Sequence, residues 1–374
     1  MSTQNATHQS TSDPAIVFTS CGLMPAQAPQ VAAPARSGKG SAKPAGKRRE
    51  VKIKGKRVRT IDVHAHCLIP AASKLVGDDA YNHHTGGIVC EGQDLATRLR
   101  AMDAQGLDME ALSINPFWYR TERDKAAEIV RLNNEGLVEI CAKNPDRFVA
   151  FASVALQFPD LAVQQLEHAV KKLGLRGAAV GASCAGEEFA HEKFHPFWAK
   201  CEELGVLVFM HPLGTRELEP SGRLAGNGLL TNTIGNPLET TIALSHLIFE
   251  GTLDRFPGLK ICAAHGGGFL PSYANRSDAV IKTFPDRVGP LPKKNPTEYL
   301  RNGQLYFDTI MFTGEAMRHL IAEVGIEHVV MGTDYPFPWN TAPVDHILSI
   351  PGISDADKVA ILGATAARLL GIDS

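Results

Sequence analysis

The stretch Asp62-Val63-His64-Ala65-His66-Cys67 decides the reading of this chain. It closes an apolar run that starts near residue 59. In a strand, residues i and i+2 face the same way. Two imidazoles at that spacing therefore project together from one strand end. Outward from here, short apolar runs alternate with amphipathic stretches. Strands are predicted over residues 59–66, 109–115, 148–154, 177–182, 206–212, 259–266, 305–311 and 328–334. Helical patterns cover residues 94–104, 124–143, 161–173, 237–250, 315–324 and 355–370. Such alternation argues for βαβ units and a parallel sheet. Eight strands close a parallel barrel, so the expected fold is α/β, a (β/α)8 TIM barrel. A doubly wound open sheet competes, but it carries a glycine-rich phosphate loop after its first strand. Here the first strand runs into His64-Ala65-His66-Cys67 instead.

In such a barrel the active site lies at the C-terminal ends of the strands. The fifth predicted strand ends at His211, the sixth at His265 and the eighth at Asp334. Together with His64 and His66, five metal- or proton-competent side chains fall at one face. A lone histidine near a strand end is more often structural, and Asp334 alone suits a turn before Pro336. The joint pattern points to a metal. His83-His84, His168, His191, His195, His246, His319 and His328 lie elsewhere and read as surface or packing residues. Phe117, Trp118, Phe337 and Trp339 follow strands two and eight and are candidates for an aromatic wall against a planar substrate.

The bulk numbers bound the class. A chain of 374 residues with 44% hydrophobic content suits one large α/β domain with an appended segment. A formal net charge of -2 gives the whole chain no bias towards nucleic acid or acidic membranes. Its seven cysteines show no C-x-x-C spacing, which argues against a disulfide framework and for a reducing, cytoplasmic setting. No run of about 18 apolar residues suggests a membrane span, and no signal peptide is expected. Residues 1–57 differ from the rest: rich in Ser, Thr, Ala, Pro and Gln, then strongly basic from Arg36 to Arg57. Such a stretch buries little apolar surface and is expected to be a disordered or draped extension. An arm docking on a neighbouring subunit is the sharper alternative. The domain proper is expected over residues 58–374.

Several motifs resemble the amidohydrolase superfamily: Asp62-Val63-His64-Ala65-His66, His211-Pro212, His265-Gly266-Gly267-Gly268 and Gly332-Thr333-Asp334-Tyr335-Pro336-Phe337-Pro338. With Met102-Asp103-Ala104-Gln105-Gly106, they look like its non-hydrolytic branch, typified by 2-amino-3-carboxymuconate-6-semialdehyde decarboxylase. The resemblance implies one metal held by His64, His66, His211 and Asp334, with His265 catalytic. Three imidazoles and a carboxylate suit Zn2+, with Mn2+, Co2+ or Fe2+ as substitutes. Binuclear relatives use a lysine on strand four, and residues 177–182 supply none. Arg276 matches an arginine that reaches across a dimer to the substrate carboxylate, so a homodimer is expected. The family's other carboxylate-binding arginine has no counterpart in residues 81–90.

The implied reaction is non-oxidative decarboxylation of a carboxylated aromatic or muconate-semialdehyde-like acid. His265 would serve as general base or hold a metal-bound oxygen, and Asp334 would be a ligand or a proton donor. The same site would also suit a hydrolase or hydratase using metal-activated water. A metal-stabilised scaffold, or a nucleic-acid-binding basic tail, are the non-enzymatic alternatives.

Overall fold

The computed structural model describes residues 16–19, 22–25, 48–77, 92–215, 218, 221–228, 230–287, 289, 292–337 and 339–373. Residues 81–90, where the sequence lacks the second arginine, lie outside them, as does most of the basic extension.

Eight parallel strands organise the chain: β1 (Ile61–His66), β2 (Met109–Ser113), β3 (Phe148–Ala150), β4 (Gly177–Val180), β5 (Leu207–Met210), β6 (Lys260–Ala263), β7 (Leu305–Asp308) and β8 (Val329–Val330). All eight fall within the predicted runs. They form a three-stranded sheet, β1-β2-β3, and a five-stranded sheet, β8-β7-β6-β5-β4. Parallel bridges Ala152↔Ala178 and Ala65↔Tyr335 connect the sheets at the two gaps. Backbone bonds accompany them, from Ala179 N to Ala152 O (2.9 Å) and from Asp334 N to His64 O (2.8 Å).

Helices return the chain between strands: α1 (Gly92–Gln105), α2 (Arg123–Lys143), α3 (Pro159–Lys171), α4 (His195–Leu204), α5 (Asn236–Phe249), α6 (Leu270–Thr283), α7 (Gly314–Val324) and α8 (Thr365–Leu370). The period-2 geometry of the strands divides their side chains between two cores. Ile61, Val63, Met109, Ala111, Phe151, Ala179, Leu207, Phe209, Cys262, Tyr306 and Val330 share one apolar cluster, to which every strand or its next residue contributes. Their alternates, among them Leu112, Ala150, Val180, Val208, Met210, Ile261, Phe307 and Val329, pack with the helices in the second. Strands buried on both faces explain why the sequence shows apolar runs rather than alternation.

Residues 48–57 were placed with the extension by composition, yet they pack on the domain. Lys52–Ile53 and Lys56–Arg57 form a small antiparallel hairpin. Val51 is buried. Arg57 grips Asp108 with two bonds of 2.6 and 3.0 Å, Arg48 joins the same carboxylate, and Arg49 pairs with Asp345. Arg48, Arg49 and Arg57 thus have acidic partners distant in sequence, which composition cannot show.

Candidate metal centre

Strand β1 delivers both histidines of the opening motif. Its pairing with β2 shifts register between Asp62 and Ala65, a bulge of the kind that re-aims side chains beside active sites. His64 Nε2 lies 3.0 Å from His66 Nε2 and 3.1 Å from Asp334 Oδ1, and His66 Nε2 is 2.9 Å from the same oxygen. The ring of His211 packs 4.6 Å from that of His66 and 5.0 Å from those of His64 and His265. Ligand-competent atoms of His64, His211, His265 and Asp334 lie within 4.8 Å of one another. All five predicted residues therefore converge on one buried point, and the donor set fits a divalent metal ion.

Tautomers are set from behind. His64 Nδ1 sits 2.5 Å from Asp308 Oδ2, and His211 Nδ1 sits 2.8 Å from the Pro212 carbonyl. With those nitrogens donating, each Nε2 presents a lone pair to the shared point, the usual arrangement behind metal-binding imidazoles. Asp308, at the end of β7, was not singled out in the sequence. It also accepts from the backbone N–H of His265 (3.0 Å), Gly266 (2.8 Å) and Ile310 (3.1 Å). Asp62 ties β1 to the residues after β8, accepting from Thr333 Oγ1 (2.5 Å) and His64 N (2.9 Å). Arg98, buried on α1, donates to the His66 carbonyl (2.7 Å), pairs with Glu110 and lies over the Tyr335 ring at 4.6 Å. It thus braces the two chain segments that carry His66 and Asp334.

Electrostatics match this geometry. Burial opposes ionisation of Asp334, but His64 and hydrogen bonds from His265, His64 and His66 outweigh it and hold the carboxyl well below its usual range. Burial likewise opposes charge on His64, yet Asp334 and Asp308 raise its pKa to about 10. His66, dominated by burial, drops to about 4, and His211 falls well below the ordinary imidazole value for the same reason.

Backbone strain concentrates here too. His265 (φ +56°) and Asp334 (φ +61°) are both left-handed, a conformation costing roughly 1–3 kcal/mol at a non-glycine residue and clustering at functional sites. The glycines that follow His265 serve close approach: a Cβ on Gly268 (φ +66°) would lie 2.1 Å from the Pro237 carbonyl oxygen. Gly332 has the same function before Asp334, since its Cβ would sit 2.9 Å from the Cβ atoms of both His64 and Asp308.

The predicted aromatic wall is only partly assembled. Phe337 packs 6.0 Å from His66 and stacks on Trp339, whose indole N–H donates to Asp334 Oδ2 (2.8 Å). Phe117 lines a neighbouring cleft. Trp118 does not belong to a wall: it is fully buried in the core, and its indole N–H is used by the Val154 carbonyl at 2.9 Å. Arg276 lies on α6 and is exposed. Among the described residues, no helix is long and apolar enough to cross a membrane.

A histidine-rich metal centre at the strand ends of an α/β domain defines a metal-dependent enzyme. The chain belongs to the amidohydrolase family, whose pattern it matches over residues 61–372. It is 31% identical to the 2-amino-3-carboxymuconate-6-semialdehyde decarboxylase of Dictyostelium discoideum, over 75% of this chain and 77% of that one. It is 33% identical to the gamma-resorcylate decarboxylase of a Rhizobium species, over 74% and 87% of the respective chains. The crystal structure of a dihydroxybenzoic acid decarboxylase from a Polaromonas species, with bound manganese and the inhibitor 2-nitroresorcinol, superposes with a TM-score of 0.70 at 26% identity. That match covers 85% of this chain and 98% of the other.

Proposed function

We propose that this enzyme releases CO2 from a carboxylated aromatic acid without redox chemistry. In this reading its two sheets form one closed (β/α)8 barrel whose mouth holds a single divalent ion. The observation that carries the reading is the convergence of His64, His66, His211, His265 and Asp334. His64, His66, His211 and Asp334 would hold the ion. Zinc suits the donor set, and manganese, present in the Polaromonas relative, is the alternative. When bound, a divalent cation polarises a substrate oxygen or lowers the pKa of a coordinated water.

Loss of CO2 leaves an electron pair on carbon, so the site must supply a proton to that carbon. His265 is placed to do so or to relay it: its Nε2 lies 3.9 Å from Asp334 Oδ2, and its side chain keeps some exposure where the metal-facing histidines keep less. Asp334, ionised and pinned by the Trp339 N–H, suits a ligand that also orients His265. Phe337 and Trp339 would cover one side of a planar ring.

The enzyme would act as a homodimer. Tyr273 and Val280 on α6 and Phe284 at its C-cap are exposed apolar residues, with Arg276 between them at helical spacing. Such residues suit an interface between two copies, and Arg276 would extend from it to a substrate carboxylate in the partner's site.

The test is metal content and CO2 release on one sample. Screening hydroxybenzoates, aminobenzoates and muconate semialdehydes should give about one ion per chain and CO2 from at least one acid. His265→Ala should keep the metal and lose roughly 10²–10⁴-fold in kcat. Bound metal with no CO2 from any acid would move the assignment to hydrolysis or hydration.

A further inference from the structure

Helix α5 bonds to both of the turns on which the centre depends, the one after His211 and the one after His265. It runs between β5 and β6 in the chain. A helix on the outside of a domain ordinarily keeps its polar residues in water. In the first two turns of α5, Asn236, Glu239 and Thr240 are buried instead, and Thr241 is half-buried.

Glu239 serves the first turn. Its Oε2 accepts from the Leu213 backbone N–H at 2.7 Å, and its Oε1 accepts from Ser183 Oγ at 2.9 Å. That N–H and the Pro212 carbonyl belong to one peptide unit, and the same carbonyl lies 2.8 Å from His211 Nδ1. A peptide unit is planar, so a hold on its N–H also aims its C=O. Glu239 thus reaches His211 through a single rigid group. Its charge also polarises that group towards the imidazole N–H, since hydrogen bonds in a chain strengthen one another.

Thr241 serves the second turn. Its Oγ1 accepts from the Phe269 backbone N–H at 2.7 Å and donates to the Pro237 carbonyl at 2.7 Å. Phe269 closes the glycine run that begins at the left-handed His265. A Cβ on Gly268 would lie 2.7 Å from Thr241 Oγ1, so the turn is pressed directly onto this hydroxyl.

We propose that Glu239 and Thr241 are positioning residues: Glu239 sets the ring of the ligand His211, Thr241 sets His265, and one helix fixes the two histidines relative to each other. The assignment of Thr241 to turnover rests on the catalytic reading of His265.

The test separates the two arms. Glu239→Ala should weaken Mn2+ binding about tenfold, the lower end for a group that supports a metal ligand. Glu239→Gln should restore it, because the amide oxygen keeps the Leu213 bond and the Ser183 hydroxyl can turn to accept. Thr241→Val should leave Mn2+ affinity as in the wild type. In 15N-histidine spectra of the Zn2+-loaded protein it should shift the His265 ring signals, identified by their loss in His265→Ala. With an acid that releases CO2, Thr241→Val should lower kcat about tenfold or more at unchanged KM, and Thr241→Ser should restore both the signals and kcat. Wild-type Mn2+ affinity in Glu239→Ala, or wild-type His265 signals in Thr241→Val, would overturn the assignment of that residue. Losses that the conservative variants fail to restore, or that simply follow each variant's melting midpoint, would overturn both. The expected affinities and spectra with no CO2 from any acid would uphold the positioning and overturn the decarboxylase reading instead.

Discussion

Replacing Asp308 with asparagine should detach the metal without touching a ligand. The carboxylate has two pairs of donors: His64 Nδ1 (2.5 Å) and His265 N (3.0 Å) on Oδ2, and Gly266 N (2.8 Å) and Ile310 N (3.1 Å) on Oδ1. An amide keeps one acceptor oxygen and puts an NH2 group in place of the other. Two donors then face a third, and each buried donor left without a partner costs roughly 1–3 kcal/mol. Allowing for relaxation, about 2–4 kcal/mol of stability should be lost. If the NH2 takes the Oδ2 position, His64 loses the acceptor that keeps its proton on Nδ1. The other tautomer then places that proton on Nε2, where a lone pair is needed for the ion. Loss of such a supporting carboxylate typically weakens metal binding 10–100-fold, or about 1.4–2.7 kcal/mol. The assay is Mn2+ affinity by chelator competition, with metal-free thermal midpoints measured in parallel. A folded Asp308→Asn protein whose Mn2+ affinity stays within about twofold of wild type would refute the orienting role.

Metal binding should also be proton-coupled: with His64 raised to about 10 and His66 lowered to about 4, the metal-free site at pH 7.5 holds one imidazole proton that the cation must displace. Affinity should fall about tenfold per unit as pH drops from roughly 9 to 5, and calorimetry in buffers of different ionisation enthalpy should count about one proton released; none released would contradict the assignment. In the metal-free protein the stability contributed by a neutral His66 is complete above pH 6.5 and is lost as pH falls through about 4, so acid unfolding should steepen there. Gly332→Ala should cost about 1–3 kcal/mol and lower metal content, because the added methyl enters the space of the His64 and Asp308 Cβ atoms, 2.9 Å away; a variant with wild-type melting and metal content contradicts this. Tyr273→Glu combined with Phe284→Glu should halve the mass seen by light scattering and abolish CO2 release, whereas Arg276→Gln should keep the dimer and reduce kcat/KM; an unchanged mass in the double variant speaks against this face as the interface.

Much of this architecture was legible because strand ends carry chemistry at fixed places. His64, His66, His211, His265 and Asp334 could be grouped from position alone, and the fold brings them together. Asp308 escaped the same test because the seventh strand is predicted over residues 305–311, which places it mid-strand, whereas β7 ends at Asp308. The bulge in β1 was not legible, since it depends on pairing with β2. Trp118 was misjudged because an aromatic beyond a strand can face a pocket or the core, and only the partner of its indole N–H decides. The acidic partners of Arg48, Arg49 and Arg57 lie between about 50 and 300 positions away, beyond any local pattern.

Charge balance ties the centre to the arginine of the proposed dimer. A dication held by Asp334 and backed by Asp308 through His64 is already matched by two carboxylates in a buried space. Across short distances in such a space, unlike charges attract strongly, so these two anions absorb most of the field that the ion would otherwise present to an acid. An incoming carboxylate therefore gains less from the centre than a bare dication would give, and further anions must be recognised by cations set outside it. Arg276 on α6 is exposed and, in the proposed dimer, would supply such a charge. The division has a chemical use. In the proposed reading a remote cation would hold an anion that stays, while a nearly neutral centre would stabilise the departing carboxylate weakly and so would not oppose its conversion to neutral CO2. Selectivity would then reside in Arg276 and bond cleavage in the centre, which predicts that Arg276 variants change KM ratios between acids far more than they change metal affinity.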